Sequence, residues 1–331
     1  MVFVPLKNCP CALCSKNIPT VRPAENFDAE ADAKALREAM RGFGCNNEEI
    51  TAILPHRSAN QRVNIEQVYK TLYGRDLMDD LKSELGGNFE RVVIAMMFPF
   101  PSFAARAIKK ACKGVGTNEQ TLIDILCTAN NCEIRMITDA YKQMYGDTME
   151  ELLEKELSGD FQNLMVAVIQ AARHEDDPVD LVKAKEDAQA IQEAGELKYG
   201  TDESTFTRVL VRNSYQQLYA VSQAYFELAG KTLEEVCAAE LGGDLLKAAE
   251  TILGVAKNKD EFWAQRLHRC MAGMGTDDKA LINILIARSE IDLGNIKLEF
   301  VKNYEKTLDQ WIEDECSGDY KKMVLALIAD S

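Results

Sequence analysis

The 331-residue chain has no apolar run near the ~20 residues that a membrane-spanning helix needs. The best stretch, Val92 to Met97, is interrupted soon after by Pro99. At the start, Val2 to Leu6 is too short for a secretory h-region and contains Pro5. The expectation is a cytoplasmic protein, and any export would need a route that uses no signal peptide. Histidine is scarce, with only His56, His174 and His268, and none sits in a nucleophile motif. There is no G-x-S-x-G, P-loop lysine pattern, H-E-x-x-H or D-x-D-x-D-G loop, which argues against an enzyme and against an EF-hand. Positive charge is also short. Lys+Arg number 38 against 53 Asp+Glu, a formal charge of −15, so unaided attraction to nucleic acid or to an anionic membrane is excluded. Something positive must mediate any contact with lipid.

Ten cysteines are present, but a chain this long without a signal peptide does not read as a disulfide scaffold. Cys127, Cys237 and Cys270 stand singly in helical patterns, where a small buried hydrophobe is expected. Cys9, Cys11 and Cys14 cluster, yet zinc needs four ligands and no fourth lies close by. They read as free thiols on a tail.

Proline (8) and glycine (19) are few while Leu, Ala, Glu and Lys are plentiful, so the chain is expected to be all-α. Residues 1–26 carry prolines and basic residues without a helical period and read as a separate, flexible segment. Beyond them the chain repeats itself over 27–98, 99–172, 173–257 and 258–331, the third stretch opening with a charged connector that has a helical pattern. Each unit holds a glycine loop: Met40–Cys45, Cys112–Thr117, Glu196–Thr201 and Met271–Thr276. The last glycines are Gly44, Gly116, Gly200 and Gly275. A second motif, E-L-G-G or a close variant, places Glu84, Glu156, Glu240 and Glu315 each 40 residues beyond its glycine. One G-x-G is weak evidence, but four locked to a distant carboxylate are not accidental.

The physical reading follows from helix ends. A helix leaves its last carbonyls without partners, and glycine follows because the left-handed conformation suits it. Such a bend turns carbonyl oxygens outward at the negative end of the helix dipole, where a cation is favoured. Thr117, Thr201 and Thr276 are expected to cap the next helix, with Asn46 or Asn47 replacing Cys45 in that role. Carbonyls alone are neutral, and a glutamate from the second loop adds charge and two oxygens. That set suits calcium, which takes about 6–8 oxygens in flexible geometry, better than magnesium. A position left open would accept a phosphate oxygen of a lipid headgroup.

These four units resemble the repeats of the annexin family, over Phe27 to the C-terminus. The resemblance implies four homologous five-helix repeats in a curved disc, with the calcium loops on one convex face. It implies ligand sets of Met40, Gly42 and Gly44 carbonyls with Glu84, and of Cys112, Gly114 and Gly116 with Glu156. The fourth is Met271, Gly273 and Gly275 with Glu315. In the third, Lys198 stands where the first glycine usually lies, beside Gly200 and Glu240. The residues between the glycines, Phe43, Val115, Tyr199 and Met274, are apolar or amphipathic at loop tips, which fits shallow insertion between anionic, phosphatidylserine-like headgroups. The acidic pair that some annexins place toward the molecular centre is Ala104 and Ala107 here, facing Ala129 and Asn283, so a channel is set aside. A calcium-regulated scaffold that recruits protein partners through the tail is the alternative role.

Overall fold

Polar caps decide where the helices begin. Ser58, Asn130, Thr148, Thr232 and Thr307 each accept from the backbone three residues on and receive the reciprocal side chain, forming capping boxes. The computed structural model describes residues 17–42, 44–114, 116–197, 199–273 and 275–329, and among these all regular structure is helical. The first repeat is α1 (Ala29–Ala39), α2 (Asn47–Ile53), α3 (Ala59–Tyr73), α4 (Leu77–Glu84) and α5 (Gly87–Met96). The second is α6 (Phe100–Ala111), α7 (Glu119–Leu126), α8 (Asn131–Tyr145), α9 (Met149–Glu156) and α10 (Gly159–Ile169). The third begins α11 (Leu181–Ala194), α12 (Glu203–Arg212), α13 (Tyr215–Ala229), α14 (Leu233–Glu240) and enters α15 (Gly243–Met271). Asn258 breaks α15 with φ −162° and ψ 103°, and its Oδ1 caps the second half by accepting from the Asp260 and Glu261 amides. The fourth repeat takes that half with α16 (Asp278–Ser289), α17 (Leu293–Tyr304), α18 (Leu308–Glu315) and α19 (Gly318–Ile328).

The core repeats with the chain. Tyr69, Tyr141, Tyr225 and Phe300 lie 25 residues past the four loop glycines and are completely buried. Leu36, Ile108, Ile191 and Leu267 on the first helix of each repeat are equally buried. Each such side chain contributes about 1.5–3 kcal/mol by leaving water. Cys127, Cys237 and Cys270 are buried free thiols, as their helical setting suggests.

The helices gather into two units. One holds the residues up to Phe103 and those from Trp263 onward, and so repeats 1 and 4; the other is Ala104–Phe262, with repeats 2 and 3. In the first unit the repeats are joined by a matched pair of bonds. Asn47 Nδ2 donates to Asp319 at 2.9 Å, and Asn88 Nδ2 donates to Asp278 at 2.5 Å. The equivalent positions in the second unit are Glu119, Asp244, Asp160 and Glu203, all carboxylates, and they line a cleft of about 360 Å³.

Two expectations are corrected here. Cys9, Cys11 and Cys14 lie outside the described residues, but the last part of the tail is not a free segment. The Ile18 amide donates to Asn295, its carbonyl accepts from Gly294, and buried Thr20 donates to the Ser289 and Leu327 carbonyls. The Ala24 amide and carbonyl pair with the Gln61 side chain. The connector, expected to be helical over about Arg173 to Ala190, is helical only from Leu181, in α11, and is irregular up to Asp180, where side chains pin it down. Buried Arg173 donates to the Leu210 and Asn213 carbonyls and stacks 4.4 Å from the Tyr215 ring. Its neighbour His174 takes a backbone bond to Arg212.

The third helices end on Gly74, Gly146 and Gly230 in the left-handed conformation; the fourth ends on Glu305 at φ 59°. A side chain in that region is strained by about 1 kcal/mol relative to glycine. Glu305→Gly is therefore expected to stabilise the protein by about 1 kcal/mol in urea unfolding. Asn88→Asp, which sets a carboxylate against Asp278, is expected to cost about 1–3 kcal/mol in the same measurement.

Candidate metal centres in the interhelical loops

Each first loop is pinned by one backbone bond across it. The amides of Asn46, Asn118 and Asp277 donate to the carbonyls of Ala39, Ala111 and Cys270 at 2.8, 2.9 and 2.8 Å. Inside the bend, Gly42, Gly44, Gly114, Gly116, Gly200 and Gly275 all have φ between 83° and 113°. A Cβ at any of them would meet nothing within 4 Å, so glycine is required for conformation and not for space. Met40, Cys112 and Met271 have buried side chains at the preceding helix end. What they can offer a cation is the backbone carbonyl. Phe43, Val115, Lys198 and Met274 lie outside the described residues, while Tyr199 is fully exposed beside exposed Leu197.

The second loops explain the constant spacing. Glu84, Glu156, Glu240 and Glu315 are each the last residue of an eight-residue helix: α4, α9, α14 and α18. The following Gly87, Gly159, Gly243 and Gly318 turn the chain at φ 61°, 64°, 59° and 62° and start the next helix.

The two loops meet by a hydrogen bond in the third and fourth repeats. Thr201 Oγ1 donates to Glu240 Oε2 at 2.7 Å, and Thr276 Oγ1 donates to Glu315 Oε2 at 3.3 Å. In the first repeat, burial and then the Glu84 charge push the Cys45 thiol up. In the second, burial and then Glu156 push the Cys112 thiol up to about 11. Lys155 Nζ lies 3.7 Å from Glu156.

The threonines therefore do not cap the next helices, contrary to the expectation from sequence. Asn46, Asn118 and Asp277 accept the capping bonds, and Asp202 occupies the cap position of α12. The third loop differs more. Its closing bond runs from the Asp202 amide to the Ala194 carbonyl at 2.8 Å, enclosing one residue more than the others. Counting back from Gly200 thus hides a glycine, Gly195, at the start of that bend. A Cβ there would come within 2.9 Å of Glu240 Cγ, so Gly195 is what admits the carboxylate. Glu196 is committed elsewhere, to Tyr225 and Lys231. The sequence signal for Gly195 was present, but only the loop length reveals its role.

In the second unit, residues of the Glu156–Phe161 and Leu241–Leu245 segments line the same acidic cleft. Lys247 bonds Asp244 at 2.8 Å at its rim. The donors that these loops can offer are hard oxygens, from neutral backbone carbonyls and one carboxylate per repeat. They fit calcium and do not fit a metal that prefers thiolate or imidazole.

Comparison with known proteins agrees with this geometry. The annexin family model matches four times, over residues 31–96, 102–168, 186–252 and 262–327. The chain is similar to annexin A7 of Macaca fascicularis, 42% identical over 319 residues, covering 96% of this chain. It spans 65% of that relative's own length. Among solved structures it is similar to annexin III, with a TM-score of 0.92 and 37% identity over 95% of this chain and 98% of the other. It is also similar to a calcium-bound annexin (Sm)1, with a TM-score of 0.81 and 35% identity over 94% and 93% of the two chains. On four matched repeats, this sequence identity and the shared fold, the chain belongs to the annexin family, which binds calcium and is known for calcium-dependent phospholipid binding.

Proposed function

We propose that this chain is a non-enzymatic, calcium-dependent binder of anionic phospholipid membranes, resident in the cytoplasm and recruited reversibly to the membrane surface. The observation that supports it most is the repeated meeting of a positive-φ glycine bend with the carboxylate at the end of an eight-residue helix. The carbonyls of Met40, Gly42 and Gly44 with Glu84 form the first site. Those of Cys112, Gly114 and Gly116 with Glu156 form the second. Lys198 and Gly200 carbonyls with Glu240 form the third, and Met271, Gly273 and Gly275 with Glu315 the fourth. Gly273 departs from the others in lacking a positive φ.

A bound calcium ion supplies positive charge and an open position for a lipid phosphate oxygen. The protein's own residues set everything else. The net charge of −15 repels an anionic surface until the loops are loaded. At the third tip, exposed Tyr199 and Leu197 are available to enter the headgroup layer, and the sequence sets Phe43, Val115 and Met274 between the same glycines for the same role. Exposed sites of this kind hold calcium at about 10⁻⁴ M or weaker. Linking several raises avidity by roughly 10²–10⁴, so binding should rise steeply with calcium.

Co-sedimentation with phosphatidylserine vesicles tests this reading directly. Binding in calcium that a chelator reverses is the expected result; binding that survives the chelator overturns it and favours a scaffold role through the tail. Glu84→Gln alone is expected to move the calcium midpoint modestly, whereas the quadruple variant with Glu156→Gln, Glu240→Gln and Glu315→Gln should not sediment. Tyr199→Ser should weaken vesicle binding several-fold with no fall in Tm. Unchanged binding would remove the insertion step.

A further inference from the structure

The residue directly after each last glycine has a job that helix capping does not explain. It is Cys45, Thr117, Thr201 and Thr276 in the four repeats. Two of these hydroxyls donate to the distant carboxylate, at 2.7 Å in the third repeat and 3.3 Å in the fourth. Both also approach the backbone carbonyl of the same glutamate, at 3.4 and 3.5 Å. Burial does not sort the carboxylates in this way: Glu240 and Glu156 are partly covered, while Glu315 and Glu84 are exposed. Among the described residues neither Thr117 nor Cys45 makes this bond, and Glu156 instead lies near Lys155.

We propose that in the third and fourth repeats the residue after the loop's last glycine is the positioning residue of its calcium site. The hydroxyls of Thr201 and Thr276 hold the glutamate toward the bend, and Cys45, lacking a hydroxyl, makes the first site the weak one. This rests on the loop-plus-glutamate reading of the sites and adds to it a group that touches no ion. The chemistry favours it. A hydroxyl donating to Oε2 occupies one lone pair, and each carboxylate oxygen has two, so both oxygens remain available to a cation. A glutamate already fixed in one rotamer loses less freedom when the ion arrives. A thiol is a weak donor with a larger, softer atom and cannot substitute. The same position thus separates the first repeat from the third and fourth: a hydroxyl holds Glu240 and Glu315, and Cys45 offers Glu84 none.

The test isolates single sites by replacing the other three glutamates with glutamine. With Glu240 alone retained, Thr201→Val should weaken calcium binding about five- to tenfold by titration calorimetry, and Thr201→Ser should restore most of the loss. With Glu84 alone retained, Cys45→Thr should strengthen binding about three- to tenfold. Thermal unfolding without calcium separates positioning from folding. If Thr201→Val loses affinity only in proportion to lost stability, or if serine and valine behave alike, the positioning role is overturned. If Cys45→Thr leaves a measurable first site unchanged, the grading is overturned. Should neither single-glutamate protein bind calcium while the unmodified chain does, the site reading itself fails and takes the proposal with it.

Discussion

A carboxylate at the end of one helix must reach the bend at the end of another, and most of the architecture serves that approach. The bend is held by an amide that reaches back over it to the last turn of the preceding helix. The carboxylate is held by an eight-residue helix whose first turn is fixed by a cap and whose last residue is the glutamate itself. Two loops are thus positioned by helix ends whose caps and glycines leave little freedom. Aromatic residues on the third helices, Tyr69, Tyr141, Tyr225 and Phe300, are completely buried in the core beneath this arrangement of helices. The loops are exposed, but the elements that aim them are core.

Much of this was legible beforehand because it is local and repeated. The spacing between Gly44 and Glu84, echoed three times, is a covalent distance that survives folding. Left-handed glycines and capping residues announce themselves one position at a time. What escaped notice depended on contacts between distant segments. Thr201 looks like a cap by its place before α12, but Asp202 stands nearer the helix and the hydroxyl turns to Glu240 instead. Gly195 looks like a helix end, and only the wider third loop shows it facing Glu240. The connector at Arg173 reads as helical from its charge pattern, yet a guanidinium that finds two carbonyls and an aromatic face gains more by leaving the helix.

The two units use one scheme with different chemistry. Where repeats 1 and 4 meet, amides answer carboxylates in two symmetric bonds; where repeats 2 and 3 meet, the same four positions are all acidic. Like charges oppose contact, and these four side chains line a cleft instead of bonding one another. The seam is held by other means, among them the Tyr215 hydroxyl donating to the Cys127 carbonyl at 2.9 Å. Repetition therefore conserves the frame while leaving its joints free to differ.

The seat of Ile18 on Gly294 carries a consequence for how the sequence can vary. A β-carbon at position 294 would approach Ile18 Cγ2 to 2.6 Å and the Ile18 carbonyl to 2.7 Å. Changes at these two remote positions cannot be independent: a larger residue in the fourth repeat evicts the strap, and a reshaped strap relaxes the demand for glycine. Across related chains the pair should drift together, so that the beginning of the polypeptide and its last repeat share one evolutionary fate.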